Sequence, residues 1–204
     1  MTREEQRKWK EAKKALADAE KSIAKNMGFQ RSHDYTFCFV GDFAYWVNIY
    51  ARDDCSALSG NVCVKSNLLD PLFWDLFEVP ENRNQPKSFH VYGTFVSQFF
   101  LLTKRYEELL ESGVEAAYIK ILAQVKQDIE QYSMTLKTVA DFQKLIKDDP
   151  YQKLNFVLCE IYLGHKENAN RLIQEAIDNG EHGGFTCGDY TIYDYAKKYL
   201  ERTE

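Results

Sequence analysis

Four histidines, His33, His90, His165 and His182, are the residues best suited to proton transfer or metal ligation, and their spacing argues against the second role. None stands four residues from another, so no helix presents two imidazoles on one face. Strand pairing could bring His33-Asp34 near His90, yet hydrogen-bonded or surface histidines explain both positions without chemistry. The run Gly180 to Asp189 (GEHGGFTCGD) sets His182 near Cys187 and invites a thiol nucleophile with an imidazole base. It lacks the strand-then-helix setting of a nucleophile elbow or a phosphate cradle, and its glycines suit a flexible connection. Carboxylates pair as Asp53-Asp54 and Asp148-Asp149, with Asp189 alone. Adjacent acids in loops are usually solvated charge, and nothing here poises two of them to share a proton. GxGxxG, GxxxxGK[ST], HExxH and GxSxG are absent, so no catalytic residue, cofactor or metal is expected.

The five cysteines, Cys38, Cys55, Cys63, Cys159 and Cys187, form an odd set without CxxC spacing, which reads as reduced structural thiols. A net charge of -5 disfavours nucleic acid, because phosphate binding needs a concentrated Lys/Arg surface. The basic residues of the first helix are interleaved with Glu4, Glu5, Glu11, Asp18 and Glu20, as on a solvated face. No apolar run is long enough to span a bilayer, and the first residues are charged rather than leader-like, so a cytoplasmic protein is expected.

The elements that must position these groups centre on Tyr35 to Tyr50 (YTFCFVGDFAYWVNIY), two alternating runs meeting at Gly41-Asp42. A two-residue type II′ loop there pairs Val40 with Phe43, Cys38 with Tyr45 and Thr36 with Val47. Those six and Ile49 form a core face. The opposite face carries Tyr35, Phe37, Phe39, Ala44, Trp46, Asn48 and Tyr50, suited either to a layer beneath a helix or to a partly wet groove. Arg52 continues that alternation, so Trp46, Tyr50 and Arg52, with Asp53 and Asp54 as a charged rim, are the expected partner-binding residues.

Before the hairpin, Thr2 and Glu5 form a capping box and Trp9, Ala12, Leu16, Ala19 and Ile23 make one helical stripe that stops at Lys25 or Asn26, since Gly28 can turn left-handed beyond it. After it, the spacing predicts a strand over Asn61 to Asn67, a helix started by Asp70-Pro71, and a fourth strand over Ser88 to Val96. From Thr103 the period is helical, through Tyr106, Leu109 and Leu110, a break at Ser112-Gly113, and Ala117 to Ile129. A second capping box at Thr138 and Asp141 opens a helix through Phe142, Leu145 and Ile146 that Asp148-Asp149-Pro150 closes, and two further helices follow, Leu154 to Leu163 and Asn168 to Ile177, joined at Gly164-His165-Lys166.

That last pair resembles a single tetratricopeptide-type helical hairpin, with rings on the first helix and Ala169 and Ala176 on the second. The element order resembles uncharacterised bacterial α+β domains that open with a helix, a Gly-Phe elbow (Gly28-Phe29) and an aromatic hairpin and finish in helices. The resemblance implies a fold and carries no catalytic residues. The expected architecture is α+β: an N-terminal helix on a four-stranded, mainly antiparallel sheet within residues 1–102, then a helical subdomain over 103–204, the two forming one folding unit. The expected function is a non-enzymatic protein-binding module of bacterial or phage origin. It would act as immunity or anti-defence inhibitors do, on a protein partner that the acidic loop suggests is basic. The alternative is a small-molecule-binding or hydrolytic enzyme using His33, His90 or the His182/Cys187 loop.

Overall fold

The computed structural model describes residues 2–32, 35–93, 95–102 and 104–202, so His33 and Asp34, and the chemistry considered for them, lie outside the described residues. In chain order the elements are α1 (Arg3–Ile23), β1 (Gln30–Ser32), β2 (Tyr35–Val40), β3 (Phe43–Ala51), β4 (Ala57–Ser66), α2 (Leu69–Leu76), α3 (Phe89–Tyr92), β5 (Phe100–Leu101) and β6 (Tyr106–Leu109). They continue with α4 (Val114–Thr135), α5 (Val139–Ile146), α6 (Lys153–Tyr162), α7 (Lys166–Asp178), β7 (Thr186–Cys187), β8 (Tyr190–Thr191) and α8 (Ile192–Arg202). The fold is α+β. Contacts gather the chain into two units, Met1–Val64 with Leu101–Thr135, and Lys65–Phe100 with Leu136–Glu204.

In the first unit α1 begins at the Thr2/Glu5 capping box, each residue's side chain bonding the other's backbone N–H. It ends at Ile23, before the expected Lys25 or Asn26; a 3-10 turn, Lys25–Met27, follows and stops at left-handed Gly28, and the Phe29 N–H bonds the Ala24 carbonyl at 3.0 Å while its ring is buried. Gly41 has φ 57° and Asp42 is not among the positive-φ residues, the pattern of a type II′ loop, and the register is Val40↔Phe43, Cys38↔Tyr45, Thr36↔Val47. The sheet order is β1-β2-β3-β4-β5, with β6 also on β4. Helices α1 and α4 pack against β3, and α4 against β6. The core face buries Thr36, Phe43, Tyr45, Val47 and Ile49. Gly60 lies on it because a Cβ there would meet Ile121 Cγ2 of α4 at 3.2 Å and Ile49 Cγ1 at 3.4 Å. Opposite Gly60 in the register, Tyr106 is buried and donates its hydroxyl to Asp128 Oδ2 at 2.7 Å.

Several expectations need correction. The sheet has six strands rather than four. β4 starts at Ala57, so the loop before it is shorter than its polar composition suggests. Tyr106 to Leu109 is a strand, not the opening of a helix: the edge of β4 supplies backbone partners that outweigh a weak three-four spacing. On α1, Ala12, Leu16 and Ala19 are buried but Trp9 is only half-buried, its ring under Lys13 Nζ at 3.8 Å.

In the second unit the predicted strand over Ser88 to Val96 is, among the described residues, the short α3 and then an irregular strap that bends at Phe95 and Val96. The strap's backbone is satisfied by side chains. Trp74 Nε1 donates to the Phe95 carbonyl, and the Ser97 N–H donates to Asp70 Oδ1 at 2.9 Å. Asn155 Nδ2 reaches the Gln98 carbonyl at 2.7 Å, and Gln152 Nε2 the Phe99 carbonyl at 3.2 Å. Asp70 therefore does not cap α2, which has no side-chain cap. Helices α5, α6, α7 and α8 pack as successive neighbours, with α2 against α6 and α8. The Gly-rich run carries β7, which pairs with β8 just beyond it in a short hairpin.

Candidate binding surface

Five residues, Arg52 to Ser56, connect β3 to β4, and they are held without glycine. The Arg52 N–H bonds the Ala57 carbonyl at 3.0 Å and the Cys55 N–H bonds the Arg52 carbonyl at 2.9 Å, leaving Cys55 left-handed at φ 53°. Asp54 Oδ1 accepts from Ser56 N at 3.0 Å and Ser56 Oγ at 2.7 Å, and Oδ2 lies 3.2 Å from Arg52 Nη2. Those Ser56 bonds, with the Arg52 charge, hold the Asp54 carboxyl below its usual pKa. Arg52 Nη1 also lies 3.3 Å from both carboxylate oxygens of Glu107 on β6.

Strand alternation places a second set of side chains beside this loop. The Arg52–Ala57 bond sets Tyr50 opposite Ser59, and Ser59 pairs with Glu107, while Ala57 pairs with Leu109. Tyr50, Ser59 and Glu107 thus form one row, with Arg52, Ala57 and Leu109 the next, on the face turned away from α4. Tyr50 is 43% exposed and Leu109 is 55% exposed. Tyr50, Ala51, Arg52, Asp53 and Asp54 line a shallow concavity of about 340 Å³. Asp53 is exposed and makes no hydrogen bond or ion pair among the described residues.

Four of the five expected partner-binding residues, Tyr50, Arg52, Asp53 and Asp54, therefore come together. Trp46 does not join them: at four residues from Tyr50 it sits ~13 Å along the strand. It is half-buried, edge-on to Tyr35 with centroids 5.4 Å apart. Arg52 is engaged by carboxylates, and Leu109 and Glu107 complete the surface. They were missed because Tyr106 to Leu110 reads as helix by spacing.

The candidate chemistry is dispersed. His90 Nδ1 lies 3.8 Å from Asp70 Oδ2 and its ring stands edge-on to Trp74. His165 Nδ1 is 3.2 Å from Glu160 Oε2. His182 and Cys187 are both exposed, and Cys187 neighbours the Tyr195 hydroxyl. Burial pushes the thiols of Cys38 and Cys159 up to about 12 and that of Cys63 to about 11, which keeps them protonated as structural thiols. Among the described residues no group of three His, Cys, Asp or Glu side chains could hold a metal, and no helix is long and apolar enough to cross a membrane.

A buried polar cluster escaped the sequence reading. Asp70 Oδ2 accepts from Lys65 Nζ at 2.6 Å, and Asp70 Oδ1 accepts from Ser97 Oγ at 2.6 Å. Lys65 and Asp70 are wholly buried and Ser97 nearly so, and the Ser97 hydroxyl gives its proton to a carboxylate already paired with a cation. The arrangement pins the strap and does not activate a nucleophile. The one sequence signal was a lysine in an otherwise apolar-alternating strand. Comparison with protein-family profiles, curated proteins and solved structures returns no match for this chain.

Proposed function

We propose that the chain is a non-enzymatic protein-binding module whose interface is the rim around Tyr50, Arg52 and Leu109, acting in the cytoplasm as an inhibitor of the immunity or anti-defence kind. The observation that carries this reading is the pairing of exposed apolar groups, Tyr50 and Leu109, with a hydrogen-bonded charged loop on the sheet face away from α4. Exposed rings beside ordered polar groups are the composition of interface centres, and a loop already fixed loses little entropy on binding.

The test is affinity capture with the full chain, comparing wild type with Tyr50→Ala/Leu109→Ser and with Tyr151→Ser, a change at a ring 87% exposed elsewhere. The expected result is a protein retained by wild type and Tyr151→Ser and lost by the double variant at unchanged melting temperature. Equal retention by all three rejects this interface. Inhibition is then read as stoichiometric loss of the captured protein's activity.

A further inference from the structure

We propose that the concavity lined by Tyr50, Arg52, Asp53 and Asp54 receives an arginine side chain from a basic segment of the partner; this rests on the protein-binding reading of the same rim. The first ground is charge. Asp54 and Glu107 share one cation, Arg52, and Asp53 adds a third carboxylate to the set, so a negative surplus remains. The Leu110 N–H bonds the Ser56 carbonyl at 3.0 Å, and this ties the turn carrying exposed Glu111 to the same loop and adds to the surplus.

The second ground is local chemistry. Asp53 offers an exposed carboxylate with no partner among the described residues, and it lines the concavity with a Tyr50 ring that is 43% exposed. A guanidinium satisfies both at once, its fork donating to the carboxylate and its plane lying on the ring, whereas an ammonium offers only a point charge. Arg52 shows the same chemistry within the chain, one guanidinium spanning two carboxylates. Beyond the acids, Leu109 supplies an apolar landing for a neighbouring aliphatic residue. A basic, partly apolar segment is therefore the occupant that this surface fits.

The experiment titrates the full chain, ¹⁵N-labelled, with the peptide acetyl-Gly-Arg-Gly-Leu-Gly-Arg-Gly-amide and with versions carrying lysine or neutral citrulline for arginine. The expected result is saturable shifts of amides in 50–59 and 107–111, weaker with lysine and absent with citrulline. Asp53→Asn should weaken the arginine peptide about fivefold or more, and raising salt from about 50 to about 300 mM should weaken it further. Asp148→Asn, at an acid 89% exposed elsewhere, should leave affinity unchanged. No saturation, shifts confined to other acidic surfaces, or an Asp53→Asn affinity equal to wild type overturns the proposal. If these failures occur while Tyr50→Ala/Leu109→Ser still abolishes capture, the interface reading stands and the arginine subsite falls; if both fail, the rim is not the interface.

Discussion

Lys65 Nζ and Asp70 Oδ2 lie 2.6 Å apart with both side chains wholly buried, an ion pair removed from water and completed by Ser97. Burial lowers the Lys65 pKa below 10.5 against the upward pull of Asp70. Removing the cation alone strands the carboxylate. Lys65→Met should cost about 3–5 kcal/mol, and Lys65→Met/Asp70→Asn should recover part of that, read from urea unfolding. A double-variant loss equal to the sum of the Lys65→Met and Asp70→Asn losses would mean that the pair is not coupled.

The strap should loosen when its side-chain anchors are removed. Asn155 is buried and donates to the Gln98 carbonyl and to Gln152 Oε1. Asn155→Leu leaves that carbonyl unpaired, at a cost of about 1–3 kcal/mol. Amide exchange over residues 95–99 should accelerate more than in α7; uniform acceleration would place the effect elsewhere.

Gly41 and Gly60 should respond differently to added bulk. At Gly41 a Cβ meets nothing within 4 Å but φ is 57°, so Gly41→Val should cost about 1–3 kcal/mol through backbone strain and Gly41→Asn much less. At Gly60 the obstacle is Ile121 Cγ2, which an added Cβ would meet at 3.2 Å, so Gly60→Val should cost about 1–3 kcal/mol, and less than that in an Ile121→Ala background, where Cγ2 is gone. Chemical denaturation of the double variant separates overpacking from strain.

Acid should release one contact in the first unit. Burial raises the Asp128 pKa, but hydrogen bonds from Lys104 and Tyr106 outweigh it and hold the carboxyl below 3.8. A depressed folded pKa means that this contribution is present above 3.8 and lost as pH falls through the folded value. Asp128→Asn should therefore flatten the stability curve between about pH 4 and about pH 2. An unaltered slope there would assign the acid response to other carboxylates.

Trp46 should behave as a partly buried packing residue. Half-buried against Tyr35, it should cost less than the ~3–5 kcal/mol of a fully buried tryptophan on truncation to Ala. A loss at the top of that range would show that the ring is core.

What the sequence alone determined is local. The Tyr35–Tyr50 hairpin, its register, both capping boxes and the breaks at Gly28, Gly113 and Gly164 depend on neighbours within a few residues: alternation, a turn glycine, an N-cap oxygen. The α+β class follows from them. The tertiary structure decided where backbone partners come from and which ring is wet. Phe89, Val91 and Phe95 alternate like a strand, but Phe89 to Gly93 close local turns, and Phe95, Ser97, Gln98 and Phe99 are held by Trp74, Asp70, Asn155 and Gln152, up to 57 positions away. Tyr106 to Leu109 has helical spacing, yet the edge of β4 pairs it as a strand and brings Glu107 to Arg52. Trp46 and Tyr50 share one strand face and one parity, and only their different neighbours leave the first half-covered and the second open, since burial is a property of what packs across a face and not of the period that defines it.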